Sequence, residues 1–162
     1  MSFRQFVRSR RSRIFLAVFA VALPAVADAP DNQYGQFDGS AQEVTDQFTG
    51  LHWDRRRVQQ FTRADADQYC NQTVFMGSGR VPTVKELLTL VDEEPHEEYD
   101  GARKPPQFFV TIDPNAFPKP ATGAAYWTST PGPDGRVWTV EFTSGRTALA
   151  DPVLPLNVRC VY

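Results

Sequence analysis

Few side chains in this sequence have types and spacing that could support chemistry. The two cysteines, Cys70 and Cys160, and the two histidines, His52 and His96, are widely separated along the chain. Covalent catalysis needs a nucleophile beside a base, and metal centres usually gather three or more protein ligands. Ser129 stands outside any G-x-S-x-G nucleophile elbow. We therefore predict no catalytic residue, no metal site, no cofactor and no enzymatic activity.

The first 27 residues have the layout of a secretory signal peptide. Five arginines precede the apolar run 14–23, and small residues suited to cleavage follow at 25–29. The apolar run is shorter than the ~20 residues that a membrane-spanning helix needs, which disfavours an uncleaved anchor. We expect an exported protein, periplasmic or secreted, with no stable membrane span after cleavage.

The net charge of the chain limits the kinds of molecule that it is suited to bind. Removal of residues 1–27 would leave 12 basic and 19 acidic side chains, a formal net charge of −7. Such an acidic chain is poorly suited to nonspecific nucleic-acid binding, so we expect no nucleic-acid partner. We assign residues 28–42 to a flexible leader and 43–162 to one domain, which is long enough to bury a core.

The two cysteines are predicted to form a structural disulfide. An even number of thiols in an oxidising compartment favours pairing. A metal pair and a redox pair are the alternatives, but metal sites want further ligands and redox pairs usually have C-x-x-C spacing. The closed loop would be long, and such loops are stabilised by at most about 4–5 kcal/mol.

Two short helices are predicted in the first half of the domain. In the segment 61–70, Thr62 and Asp65 are a capping pair, and Phe61 can pack onto Ala66. Cys70 then lies on the buried face of this helix.

The second helix follows the extended segment Arg80-Val81-Pro82. Thr83 and Glu86 have the spacing of a capping box. The apolar residues behind it recur at helical spacing: Val84, Leu87, Leu88 and Val91. We expect this helix to end at the acidic residues and proline of 92–95.

The segment 93–125 is predicted to be a long, irregular loop. Loops of this length inside a compact domain often bind ligands. Its candidate ligand-binding residues are aromatic or cationic: Tyr99, Arg103, Lys104 and Phe108. The acidic run at its start could hold a carboxylate pair, although such runs are more often solvated. A surface excursion pinned by apolar residues is the alternative.

The last third has the alternation of β-strands. Strands are predicted at 126–130, 136–142, 146–149 and 157–162, with proline and glycine between the first two. Trp127 and Trp138 are expected in the core rather than as sugar platforms, as is Trp53. The predicted fold class is α+β, with two short helices early, an antiparallel meander late and the ends clipped by the disulfide.

Several short motifs occur together in one order. They are Thr49-Gly50-Leu51-His52-Trp53, the Tyr69-Cys70 helix end, Arg80-Val81-Pro82-Thr83, Tyr126-Trp127-Thr128 and Val158-Arg159-Cys160-Val161. In this order they resemble the Lcl C-terminal domain family over residues 43–162. The resemblance implies a fold like that of C-type lectins and formylglycine-generating enzymes.

The resemblance favours a binding or adhesion module whose ligand is an unknown glycan or envelope protein. A purely structural envelope domain is the alternative. The related oxidases act through two cysteines that hold copper, but here both thiols are assigned to the disulfide. We find no Glu-Pro-Asn or Trp-Asn-Asp triplet of calcium-dependent lectins. Arg80 and Arg159 are predicted to be structural cations that pair with a carboxylate such as Asp92 or Asp113.

Overall fold

The computed structural model describes residues 32–35, 42–56, 59–93, 95–99, 101, 102, 104, 107–118 and 125–162. The predicted signal peptide lies outside these residues. Within them the chain forms two α-helices, α1 (Arg63–Thr73) and α2 (Val84–Leu88). The strands are β1 (Glu43–Thr45), β2 (His52–Asp54), β3 (Gln60–Phe61), β4 (His96–Tyr99), β5 (Gln107–Val110), β6 (Tyr126–Pro131), β7 (Val137–Val140), β8 (Thr147–Ala150) and β9 (Leu156–Asn157).

The largest sheet has five strands in the spatial order β3, β9, β6, β7, β8. Strands β6, β7 and β8 form the predicted antiparallel meander. Strand β9 lies on the other side of β6, parallel to it, and pairs antiparallel with β3. The α+β class is confirmed. The five-stranded sheet is not purely antiparallel, because the chain crosses over after β8 and places β9 parallel to β6.

The final residues do not continue β9 to the C-terminus as predicted. Beyond Asn157, Val161 instead forms isolated bridges to Trp53 and Arg80. Strands β1 and β2 pair separately as a short antiparallel ladder. The C-terminal segment thus joins the five-stranded sheet to the N-terminal part of the domain.

Helix α1 begins where its cap predicts. The Thr62 hydroxyl accepts a hydrogen bond from the Asp65 amide at 3.3 Å. Ala66 and Cys70 are buried on one face, and Phe61 stacks on Tyr69 with ring centroids 4.8 Å apart. The helix continues to Thr73, beyond the predicted end at Cys70.

Helix α2 has the predicted capping box but is shorter than expected. The Glu86 amide donates to the Thr83 hydroxyl at 3.2 Å, and the Thr83 amide donates to the Glu86 carboxylate at 2.8 Å. The α-helix ends at Leu88, so the predicted end at 92–95 was wrong. The chain tightens into hydrogen bonds three residues apart, as from Val91 N to Leu88 O, which keeps the apolar stripe against the core.

Among the described residues, the buried apolar side chains form two groups. The larger group surrounds α2 and β7 and includes Trp53, Leu87, Ile112, Phe117 and Phe142. The smaller group lies between α1 and the C-terminal segment and includes Ala66, Val74, Trp127 and both cysteines. Cys70 and Cys160 are bonded across a sequence separation of 90 residues, so the predicted disulfide is confirmed.

Candidate functional site

The segment predicted as an irregular loop contains a regular β-hairpin. Strands β4 and β5 pair antiparallel, with His96 opposite Val110 and Tyr99 opposite Gln107. The prediction of an irregular segment was therefore wrong for these residues. The pattern was obscured because two of the four residues of β4 are acidic and each strand is only four residues long.

The base of this hairpin is tied to the core. The Asp92 amide donates to the Thr111 carbonyl at 2.8 Å, and the Thr111 amide donates to the Phe142 carbonyl at 2.6 Å. The buried carboxylate of Asp92 also lies 2.9 Å from His96 Nε2. These contacts join the two ends of the hairpin to the segment after α2 and to the segment after β7.

The two faces of the hairpin differ in character. Val110 is fully buried, so its face packs on the core. Phe109, one residue earlier, lies opposite Glu97 on the outer face. Tyr99 is two residues beyond Glu97 and shares that face. Tyr99 is 72% exposed and Phe109 is 56% exposed. The outer face therefore presents two aromatic rings to solvent from a tethered hairpin.

The predicted ligand-binding residues lie at different places in the hairpin segment, and one of them is not described. Tyr99 lies on the outer face, and Lys104 is exposed in the connection between the two strands. The backbone of Phe108 belongs to β5, opposite Glu98. Arg103 lies outside the described residues. Sequence reasoning missed Phe109, although strand alternation of the neighbouring pair Phe108 and Phe109 could have indicated that one of them faces outward.

Arg80 is paired with a carboxylate, but not with either of the predicted ones. Its two terminal nitrogens donate to Glu86 at 2.8 and 2.7 Å, so the predicted partners Asp92 and Asp113 were wrong for Arg80. The hydrogen bonds from Arg80, with those from Thr83, lower the pKa of Glu86 to about 2. This cluster of Arg80, Thr83 and Glu86 holds the extended segment before α2 against the first turn of the helix. We assign it a structural role and not a ligand-binding one.

Arg159 is a buried cation within the larger core. Its Nη1 donates to the Asp54 carbonyl at 2.5 Å, and its guanidinium lies 4.5 Å from the ring centroid of Phe117. A backbone carbonyl and aromatic rings thus replace the predicted carboxylate partner among the described residues. Arg159 joins the C-terminal segment to β2.

The remaining motif residues contribute to packing. Trp53 and Trp127 are fully buried, and Trp127 Nε1 donates to the Phe61 carbonyl at 2.8 Å. Trp138 is only half-buried in β7 and belongs to neither core group, so the prediction that it lies in the core was wrong. The Pro82 carbonyl accepts from the Ser129 amide at 2.7 Å, which joins the entry of α2 to β6.

A family model, the Lcl C-terminal domain, matches residues 42–162, almost the whole described domain. This chain belongs to the Lcl C-terminal domain family. The match begins just before β1 and ends at the last residue, so it covers both core groups, the disulfide and the hairpin. No protein of established function among those compared matches this Lcl C-terminal domain.

Two further findings concern the described part of this Lcl C-terminal domain. None of its helices has the length and apolar character that crossing a membrane requires. Within the same residues, no three His, Cys, Asp or Glu side chains are grouped so that they could hold a metal ion. Two of the large hydrophobic side chains that are exposed on the described surface, Tyr99 and Phe109, share the outer face of the hairpin.

Proposed function

We propose that this Lcl C-terminal domain is an exported, non-enzymatic binding module that recognises a polysaccharide through the outer face of the β4–β5 hairpin. The observation that carries the proposal is the joint exposure of Tyr99 and Phe109 on one tethered face. Aromatic rings offer flat apolar surfaces that can stack on the apolar faces of sugar rings. The neighbouring Glu97 and Lys104 supply polar groups to the same end of the domain.

The tethering of the hairpin supports a role in recognition. Contacts from Asp92, His96 and Thr111 hold its base, so ligand binding would order little additional backbone. Exposed side chains on a fixed element lose less conformational entropy on binding than those on a mobile loop. This arrangement favours recognition by a largely preformed surface.

Export and the lectin-like fold belong to the same proposal. A disulfide that closes a long loop is typical of proteins that fold in an oxidising compartment, which supports a periplasmic or secreted location. Early helices, a late sheet and a disulfide clip are also compatible with a C-type lectin-like fold. Commitment of both thiols to the disulfide favours binding over oxidase chemistry.

The first test is a binding screen against immobilised polysaccharides, with Tyr99→Ala and Phe109→Ala as variants. We expect each variant to bind about five- to tenfold more weakly, because each removes a ring contact that is typically stabilised by about 1 kcal/mol. The matched control is Phe48→Ala, since Phe48 is 66% exposed but lies in the turn between β1 and β2. The control should bind like the unmodified domain.

Three outcomes would contradict the proposal. Equal weakening by Phe48→Ala would show nonspecific aromatic adhesion. Unchanged binding in both hairpin variants would place the ligand elsewhere. Binding to envelope protein extracts, with no binding to any polysaccharide in the same screen, would show that the partner is a protein and not a glycan. Repeating the polysaccharide screen in the presence of a chelator tests the expectation that binding does not depend on calcium.

A further inference from the structure

On the outer face of the hairpin, the carboxylate of Glu97 lies beside the two exposed rings. Glu97 is the register partner of Phe109 across the two strands, and it precedes Tyr99 by two residues on the same strand. Opposed strand residues have Cβ atoms about 4.5–5.5 Å apart, and alternate residues of one strand are about 7 Å apart. All three side chains are exposed. A ligand group on this face is therefore within reach of the carboxylate and of both rings.

These three side chains have no intramolecular partner in the described part of the chain. Glu97 forms no ion pair there, and neither ring stacks on another ring or lies under a guanidinium. Other groups of the same kinds are paired within the domain. The carboxylate of Glu86 binds Arg80, and the ring of Phe117 lies under the guanidinium of Arg159. On the hairpin, groups that suit a cation remain available to a ligand.

The sequence around the hairpin is strongly acidic. Residues 92–118 contain seven acidic and two basic side chains. Of the formal net charge of −7 for residues 28–162, this segment contributes −5. A region of one charge sign raises the local concentration of oppositely charged ligands and speeds their association. The same charges would repel a polyanionic glycan, so they favour a cationic one.

An ammonium group on a sugar matches this set of side chains. A carboxylate offers it a charge-assisted hydrogen bond, and the face of an aromatic ring attracts a cation within about 6 Å of the ring centroid. The C–H groups of the same sugar ring can still pack on an aromatic face. In polysaccharides, such ammonium groups occur on amino sugars whose nitrogen is not acetylated.

We propose that the polysaccharide recognised by the hairpin contains amino sugars with free amino groups, whose ammonium binds Glu97 and is flanked by Tyr99 and Phe109. This inference rests on the proposed function, because it names the sugar class for the same surface. Acetylation of the nitrogen removes the positive charge, and a uronic acid places a second carboxylate against Glu97. Both of these sugar classes therefore bind more weakly than the free amine.

The test compares two oligosaccharides that differ only in acetylation, a glucosamine pentamer and an N-acetylglucosamine pentamer, by isothermal titration calorimetry. A uronic acid pentamer is the third probe. A mildly acidic pH keeps the sugar amines protonated and an exposed glutamate ionised. We expect the glucosamine pentamer to bind about tenfold more tightly than the acetylated one, and the uronic acid pentamer to bind most weakly. Added salt should weaken only the binding of the glucosamine pentamer.

The decisive variants are Glu97→Gln and Glu97→Lys, and the matched controls are Glu43→Gln and Glu43→Lys. Glu43 is an exposed acidic residue of β1, in a different sheet, so each control makes the same change in net charge at another place. Glu97→Gln should weaken binding of the glucosamine pentamer about three- to fivefold, and Glu97→Lys at least about tenfold. Neither should weaken binding of the acetylated pentamer. Both Glu43 variants should bind like the native protein.

Three results would overturn the inference: no binding of the glucosamine pentamer, equal affinity for the two glucosamine-based pentamers, or unchanged affinity in both Glu97 variants. Equal weakening by the Glu43 and Glu97 variants would also overturn it, because overall charge and not the hairpin face would then decide binding. If Tyr99→Ala and Phe109→Ala still weaken binding of a neutral polysaccharide in these cases, the proposed function stands without the amino-sugar specificity. If both ring variants bind every saccharide like the native protein, the proposed function itself fails.

Discussion

Glu86 combines three roles in one side chain. Its carboxylate accepts from the backbone amide and hydroxyl of Thr83 and from both terminal nitrogens of Arg80. The first contacts complete the capping box of α2, and the last attach the preceding extended segment to the same carboxylate. All of them favour the ionised form, led by the hydrogen bonds from Arg80, and the pKa of Glu86 is lowered from 4.5 to about 2.

The lowered pKa predicts a pH-dependent contribution to stability. Because the folded-state pKa lies below the unfolded value, the contribution is complete above about pH 5 and is lost as the pH falls toward 2. We expect Glu86→Gln to lower the free energy of unfolding at pH 6 by on the order of 1 kcal/mol, since Arg80 is largely solvated. Urea unfolding across this pH range checks the prediction.

The two proteins should converge in stability near pH 2, because the wild-type carboxyl is then becoming neutral. Glu97→Gln serves as the exposed acidic control and should follow the wild-type curve throughout. A constant difference between wild type and Glu86→Gln at every pH would show that shape, not charge, accounts for the effect.

At the scale of elements, the turns of the meander depend on glycines in the left-handed region. Gly135 precedes β7 with φ of 74°, and Gly145 precedes β8 with φ of 67°. A side chain at Gly135 would meet nothing within 4 Å, whereas a Cβ at Gly145 would lie 2.7 Å from Val91 Cγ1. The second turn is therefore in tight contact with the segment after α2.

This contrast predicts different costs for the same substitution. Gly135→Ala should destabilise the protein by about 1 kcal/mol, the cost of a left-handed alanine. Gly145→Ala should cost at least about 1 kcal/mol more, because a crowded core must also shift. Urea unfolding of both variants measures the difference. Equal costs would mean that Val91 moves freely and does not hold the turn.

At the scale of the whole molecule, the disulfide joins parts of the chain that are distant in sequence. It links the last turns of α1 to the segment after β9, and both sulfur atoms are buried in the smaller core. The same C-terminal segment bridges Trp53 and Arg80 through Val161. Loss of the cross-link should therefore loosen the pairing of early and late elements.

We expect Cys70→Ala/Cys160→Ala to lower the free energy of unfolding by up to about 4–5 kcal/mol, mainly through greater freedom of the unfolded chain. Thermal unfolding of the double variant and of the native protein, with and without reductant, checks this. Reductant should shift only the native protein. A double variant as stable as the disulfide-bonded protein would show that packing alone holds the two ends together.

Local features of this domain were predictable from the sequence by itself. The capping residues Thr62 and Thr83 act on amides three positions away, so their spacing alone indicates where each helix begins. The alternation around β7 likewise indicates a strand, since its period depends on neighbouring residues only. Two thiols have one possible intramolecular pairing, so Cys70–Cys160 followed from the count once a disulfide was expected.

Tertiary structure alone decided the features that depend on competition between distant partners. Arg80 had several carboxylates within plausible reach, and the geometry of the α2 entry selected Glu86. Pairing of β9 with both β3 and β6 required the chain to cross the sheet. Which ring of the hairpin faces solvent was set when Val110 became buried, because adjacent strand residues must point to opposite faces. A pattern in sequence records periodicity, whereas only packing determines which side meets the core.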